Sequence, residues 1–150
     1  MKKRLEVPEL VINQANQHLL SVWPEEGCGF LVGKNNTVFE FHSAENEKHS
    51  RVAYRMNPAD QIKIIIDAED RQLDILAIIH SHPDGPAQPS LTDIREATWH
   101  DMCYVIVSLQ SKKMPHWQGW LLNSEKYEEI PLFIKEANGN GQPINLRRVI

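Results

Sequence analysis

The segment DILAIIHSHP, from Asp74 to Pro83, constrains the fold of this sequence more than any other. A short, nearly continuous apolar run of this kind is typical of a strand that is buried on both faces of a sheet. The run ends on His80 and His82, and Pro83 then removes the backbone donor that further strand pairing would need. Because residues two apart on a strand point to the same face, the two imidazoles are expected to converge at the end of a buried strand.

The rest of the chain predicts an α/β domain whose mixed sheet is packed between helices, because predicted helices and strands alternate along the sequence. Ile62, Ile65, Ile66 and Glu69 recur at helical spacing and are predicted to set the inward face of the second helix, whose apolar members are the three isoleucines. The expected order is α-β-β-α-β-α-β-β-β, with helices over 8–24, 58–72 and 90–101, a hairpin around 34–36, and strands over 74–82, 103–109, 116–124 and 125–134.

Length and charge limit the classes of protein that the chain can belong to. Its 150 residues are expected to form a single domain over 1–150, with a partly mobile C-terminal tail from about residue 138 to 150. The formal net charge of −4 provides no basic surface for a nucleic-acid backbone. No apolar run reaches the ~20 residues of a membrane span, and none follows the basic MKKR start. We therefore expect a cytoplasmic protein in which Cys28 and Cys103, which lie outside any CxxC pattern, stay reduced.

The paired histidines supply half of a metal site. A catalytic zinc ion needs three protein ligands and keeps a fourth position for water. Asp93 is the candidate third ligand if the proline-rich loop after His82 folds back over the strand end. The sequence from Ser90 to Asp93 also matches a helix capping box, and the two roles of the aspartate are compatible. Capping alone explains neither the paired histidines nor their place after a buried strand.

A candidate base lies in the segment PEEGCGFLVG, over residues 24–33. Glutamates at the start of a strand are ordinarily solvated end residues. Glu26 becomes a candidate general base for a metal-bound water if the hairpin lies beside the histidine strand. Gly27 and Gly29 would permit a close approach of the two backbones there.

These residues resemble the JAMM signature of the MPN-domain zinc metalloproteases. The signature is carried by HSHP at 80–83, followed after His82 by seven residues and then by SLTD at 90–93. The segment EGCGFLVG at 26–33 is similar to the glutamate segment of that family, and Glu26 rather than Glu25 takes the position of its glutamate. The resemblance implies a mixed β-sheet packed between helices, as in cytidine deaminase.

The resemblance also implies roles for five side chains. His80, His82 and Asp93 would hold one zinc ion, with water as the fourth ligand. Glu26 would take the proton of that water and deliver it to the leaving amine. Ser90 would donate its hydroxyl to the oxyanion of the tetrahedral intermediate. The implied reaction is hydrolysis of a peptide or isopeptide bond, as in deubiquitinases.

The likeness spans residues 8–132, and the short connections resemble the compact bacterial and archaeal members of the family. Some of those act on ThiS/MoaD-type sulfur-carrier proteins with Gly-Gly tails, so the resemblance implies a ubiquitin-like or sulfur-carrier protein as substrate. A catalytically silent MPN scaffold that binds protein partners is one alternative, although such members generally lack the metal ligands. A metallo-β-lactamase-like site is another, because His80, His82 and Asp84 begin its motif, but Gly85 stands where a histidine should follow.

Overall fold

The computed structural model describes residues 3–123, 126–136 and 142–143, and these contain three helices and nine strands. In chain order they are β1 (Leu5–Pro8), α1 (Glu9–Ser21), β2 (Cys28–Lys34), β3 (Thr37–Ala44), α2 (Pro58–Asp70), β4 (Asp74–His82), α3 (Leu91–Glu96), β5 (Cys103–Ser108), β6 (His116–Leu122), β7 (Tyr127–Ile130), β8 (Leu132–Lys135) and β9 (Gln142–Pro143).

All nine strands join in one mixed sheet with the order β7-β6-β5-β4-β2-β3-β1-β8-β9. The histidine strand β4 lies in its interior, antiparallel to β2 and parallel to β5. Ile79 and His80 of β4, whose side chains point to opposite faces of the sheet, are both completely buried, which confirms the expectation of a strand covered on both faces. The predicted hairpin is also confirmed, because β2 and β3 pair antiparallel across Asn35 and Asn36.

Helices cover both faces of the sheet, as the sequence predicted. On one face α1 packs Ile12 and Leu19 into an apolar cluster with Ile79 of β4. On the other face α2 packs Ile64 and Ala68 into a second cluster with other strand residues. Because side chains alternate along a strand, the residues of β4 at 78, 80 and 82 all belong to the α2 face. Both histidines therefore lie on the side of the sheet that α2 covers. The predicted α/β fold class is confirmed.

The predicted apolar face of α2 was wrong. Ile62 is 57% exposed and Ile66 is 52% exposed, whereas Ile64 and Ala68 are buried against the sheet. Isoleucines lie almost all around this helix, so periodicity alone does not select a face. The small Ala68 side chain allows the helix backbone to approach the sheet, and it thereby decides which side turns inward.

Several predicted boundaries also differ. The short strand β1 was not predicted, and α3 ends at Glu96 instead of near residue 101. The predicted strand over 125–134 divides at Pro131 into β7, which pairs with β6, and β8, which pairs with β1. A proline cannot donate to a strand ladder, so it suits the point where the chain leaves one partner for another.

The predicted C-terminal tail over 138–150 lies outside the described residues, apart from Gln142 and Pro143, which pair with β8. Cys28 and Cys103 are both buried free thiols. Among the described residues, none of the helices has the length and apolar character that crossing a membrane requires.

Candidate metal centre

His80 and His82 end the interior strand β4 with their rings on the same face. Their Nε2 atoms lie 3.2 Å apart. The backbone beneath them is held by β2 on one side and β5 on the other, because His80 is in register with both Cys28 and Ile106. The spacing of two residues on a rigid strand therefore aims both imidazoles at one point.

Asp93 reaches the same point from the start of α3. Its Oδ1 lies 3.2 Å from His80 Nε2, and its Oδ2 lies 3.0 Å from His82 Nε2. The capping box is present as well. Ser90 Oγ accepts a hydrogen bond from the Asp93 N–H at 3.0 Å, and Asp93 Oδ2 accepts one from the Ser90 N–H at 2.9 Å. Capping fixes the carboxylate in the position where it meets the histidines.

The three side chains fit a divalent metal ion. Their ligand atoms all lie within 4.8 Å of one another. His82 Nδ1 donates to the Pro86 carbonyl at 2.7 Å, so Nε2 is the ring nitrogen that faces Asp93 and that would bind a metal. Two imidazoles and one carboxylate are a set that suits zinc and related divalent ions.

The pKa values of the three candidate ligands are shifted in different directions. Burial lowers the pKa of His80 and keeps its imidazole in the neutral form that binds metals. For Asp93, burial opposes ionisation, but the electrostatic interaction with His80 and the hydrogen bonds with His80, His82 and the Ser90 N–H outweigh it and hold the carboxyl pKa far below its usual range. Burial would also lower the pKa of His82, but hydrogen bonding and charge from Asp93 raise it overall. The aspartate thus contributes a fixed negative charge at the point where the imidazoles meet.

Glu26 is brought beside the histidines by the pairing of β2 with β4. Cys28 is the antiparallel partner of His80, and continuing this register by two residues places Glu26 opposite His82. The Ser81 N–H donates to the Gly27 carbonyl at 3.0 Å, which extends the ladder to this end. The sequence alone did not show whether the hairpin lies beside the histidine strand. The register of β2 with β4 shows that it does.

The Glu26 carboxyl is buried and only 3% exposed. Burial raises its pKa to about 8, and two smaller effects act in opposite directions, because His82 lowers this pKa and Asp93 raises it. Its Oε1 has no hydrogen-bond partner within the described part of the chain. By contrast, the neighbouring Glu25 is partly exposed and contacts His49 at 3.1 Å.

A cavity of about 460 Å³ opens over the site. Glu26, His82 and Ser90 line it, together with the proline-rich loop that follows β4. The candidate base, one candidate metal ligand and the candidate oxyanion donor therefore face the same space.

Family membership follows from a comparison of the whole sequence. The family model for prokaryotic homologues of the JAB domain matches residues 8–123 of this chain. The chain belongs to the JAB family. In this JAB domain, the matched residues include β2 with the preceding Glu26, all of β4, and Asp93 at the start of α3.

Curated relatives and a solved structure resemble this JAB domain over most of its length. A probable TtuB-protein conjugate cleaving protease from Thermus thermophilus is 36% identical over 102 residues, which are 68% of each chain. A CysO-cysteine peptidase from Mycobacterium tuberculosis is 33% identical over 108 residues, covering 71% of this chain and 72% of that one. The solution structure of a protein from Desulfitobacterium hafniense superimposes with a TM-score of 0.82 at 26% identity, covering 88% of this chain and 93% of the other.

Three residues around the JAB site were missed by the sequence analysis. The ring of Tyr54 stacks on His80 with centroids 4.5 Å apart. The buried Ser81 Oγ accepts from the Gly27 N–H at 2.9 Å and joins β4 to the residue after Glu26. Asn46 Nδ2 donates to the Glu26 carbonyl at 3.0 Å. Tyr54 and Asn46 come from the irregular segment after β3, where no periodic pattern marks them.

The other histidines and three of the tryptophans lie apart from the group of candidate metal ligands or pack in the core. Trp117 and Trp120 are buried in the core, and Trp99 stacks on Phe30. Among the described residues, the metal-binding group does not include His18, His42, His49, His100 or His116.

Proposed function

We propose that this chain is a zinc-dependent JAB peptidase that hydrolyses a peptide or isopeptide bond at the C-terminal tail of a ubiquitin-like or ThiS/MoaD-type sulfur-carrier protein. The observation that carries the proposal is the convergence of His80, His82 and Asp93 beside the buried Glu26. The names of the relatives, which refer to cleavage of protein conjugates and of CysO-cysteine, support the substrate class. We place this activity in the cytoplasm.

His80, His82 and Asp93 would hold the zinc ion. When bound, zinc supplies Lewis-acid polarisation of the scissile carbonyl and acidifies a water molecule. The negative charge of Asp93 and the neutral form of His80 suit them to this task. The hydrogen bond from His82 to Pro86 keeps the second imidazole in its orientation.

Glu26 would take a proton from water and deliver it to the leaving amine. Burial brings the pKa of this carboxyl closer to neutral pH than that of an ordinary glutamate, which suits a group that must both accept and release a proton. Its Oε1 has no partner among the described residues that would compete for the proton. Hydrolysis then breaks the C–N bond, with the water oxygen retained on the new carboxylate.

Ser90 would stabilise the negative charge that develops on the carbonyl oxygen. Its Oγ already accepts a hydrogen bond from the Asp93 N–H, so its own proton remains available for donation. The side chain also lines the cavity with Glu26. Loss of one such donor typically slows catalysis by roughly 10²–10³-fold.

The two alternative functions receive no support from the geometry. A silent scaffold would have no use for a converging set of three ligands beside a buried glutamate. In a metallo-β-lactamase-like site, Asp84 would join the histidines, but its carboxylate instead lies 2.6 Å from Arg51 on the surface.

Replacing Glu26 with glutamine tests the proposal. The side chain keeps its size but cannot carry the proton, so turnover should fall by roughly 10²–10⁴-fold while the zinc content stays unchanged. Turnover is measured on a ubiquitin-like carrier protein with a C-terminal extension, and zinc by elemental analysis. The matched control is Glu25→Gln, which should retain activity because Glu25 points to His49. Full activity of the Glu26→Gln variant would remove this residue from the reaction.

A further inference from the structure

Arg51 reaches across the cavity that contains the proposed chemistry. It is the only lysine or arginine among the described residues that line this cavity. Its Nη2 donates to Asp84 Oδ2 at 2.6 Å, and both side chains are more than half exposed. The proposed catalysis by Glu26 and Ser90 makes no use of this cation.

Both ends of the Arg51–Asp84 pair are attached next to the site. The Glu26 N–H donates to the Ser50 carbonyl at 2.8 Å, so Arg51 directly follows a residue that is bonded to the backbone of the candidate base. Asp84 comes two residues after His82 in the chain. The guanidinium is therefore tied by Asp84 at the wall of the cavity that Glu26 and Ser90 also line.

We propose that Arg51 binds the α-carboxylate of the departing residue, so that the site prefers substrates whose leaving group is a single C-terminal amino acid. This inference rests on the proposed peptidase function and names the class of leaving group. A guanidinium carries five N–H donors, and the described contacts of Arg51 with Asp84 use one of them. The others can bind a second carboxylate, for which arginine is well suited.

The chemistry of the two kinds of leaving group explains the preference. Hydrolysis adds the oxygen of water to the carbonyl carbon, breaks the C–N bond and transfers a proton through Glu26 to the amine. In a C-terminal amino acid the amine and a free carboxylate are on the same carbon, so the product carries both charges. Glu26 would face its amine, and Arg51 would face its carboxylate. The side-chain amine of a lysine has no carboxylate close to it, and Arg51 would gain no partner.

Other cations near the site are not placed for this role. Lys48 and Arg55 line a separate cavity beside Asp93. There Lys48 lies 3.5 Å from Glu96, and Arg55 lies 3.3 Å from Glu47. Arg55 belongs to the same segment as Arg51 but does not line the cavity with Glu26, so it provides a matched control.

The test uses three substrates built on one ThiS-type carrier protein that ends in Gly-Gly. The first carries a C-terminal alanine with a free carboxylate, the second carries the same alanine as a carboxamide, and the third is an isopeptide to a lysine side chain. The zinc-loaded wild type should cleave the acid with a kcat/KM roughly 10- to 100-fold above that of the carboxamide. In Arg51→Met, the ratio of the two kcat/KM values should fall close to one. In Arg51→Lys, the ratio should lie between that of Arg51→Met and that of the wild type. Arg55→Met should leave the ratio unchanged.

Three results of this experiment would overturn the inference, and they differ in what they imply for the peptidase function. Equal cleavage of acid and carboxamide by the wild type overturns the inference and leaves the peptidase function in place. An equal loss for all three substrates in Arg51→Met assigns the residue a purely structural role and also overturns the inference. If the wild type cleaves none of the three, both the proposed function and the inference that rests on it are overturned.

Discussion

At the scale of single residues, Asp93 combines a structural role with a proposed chemical one. A carboxylate has two oxygens with several lone pairs, so one group can accept a hydrogen bond and bind a metal together. Here Oδ2 accepts the Ser90 N–H and faces His82, while Oδ1 faces His80. The cap removes the rotational freedom of the side chain. A ligand that is already oriented loses less conformational entropy when an ion binds.

Asp93→Asn tests the charge of this ligand while it preserves the shape of the side chain. Zinc should stabilise the wild type against heat, by about 2.7 kcal/mol at a free concentration 100 times Kd, and the variant should lose most of this gain. The measurement is thermal unfolding with zinc and with a chelator. Ser90→Ala is the control, because it should lower stability by about 1 kcal/mol as a lost cap yet keep the response to zinc. A full zinc response of the asparagine variant would exclude Asp93 as a ligand.

At the scale of elements, the site depends on how closely β3, β2 and β4 pack side by side. Gly29 lies in β2 opposite Ser43 of β3 and Ile79 of β4. A Cβ at position 29 would lie 2.9 Å from the ring of Phe41 and would also clash with the His42 carbonyl. The glycine thus allows the close packing of the strand that follows Glu26.

Gly29→Ala should lower the free energy of unfolding by roughly 1–3 kcal/mol, because the added methyl group forces strands apart. Chemical denaturation provides the measurement. Gly85→Ala is a suitable control, since its Cβ would meet no atom closer than His82 Cβ at 4.0 Å. Unchanged stability of Gly29→Ala would show that the hairpin can widen without cost.

A second contact between elements gives a prediction about pH. Arg71 follows α2 and donates two hydrogen bonds to Glu40 of β3, at 2.7 and 2.6 Å. These bonds, with a smaller contribution from His42, lower the pKa of Glu40 to about 2. Because the folded pKa lies below the ordinary value of 4.5, the stabilisation is complete above that value and is lost as the pH falls towards 2.

Glu40→Gln should therefore lower Tm slightly at pH 7, and the difference from the wild type should shrink as the pH falls from about 4.5 towards 2. The effect is small because the pair is partly exposed and screened by solvent. Thermal unfolding across this pH range measures it. A difference that stayed constant with pH would mean that the charge of Glu40 does not contribute.

At the scale of the whole molecule, the parts of the site that the sequence predicted are those that local rules determine. Alternation along a buried strand placed His80 and His82 on one face, and the capping pattern placed Asp93 at a helix start. The position of Glu26 depends on the register between β2 and β4, which are separated in sequence by a helix and a strand. Only the resemblance to a known family indicated it in advance.

The contributions of Arg51 and Tyr54 could not be predicted, because their segment has neither helical nor strand periodicity. Its path is set by tertiary contacts, among them the hydrogen bonds of Asn46 Nδ2 to the carbonyls of Glu26 and Ala53. The wrong face of α2 has a similar cause. Isoleucines occur on several sides of this helix, so its packing against the sheet decides which side turns inward.

The strand β7 is an edge strand of the nine-stranded sheet, and it is short and acidic. Glu128 and Glu129 are both exposed there. An unpaired border of a sheet is a template on which another chain can add a strand and begin to aggregate. Two copies that met along β7 would bring like charges into contact, so this border discourages the growth of a continuous intermolecular sheet.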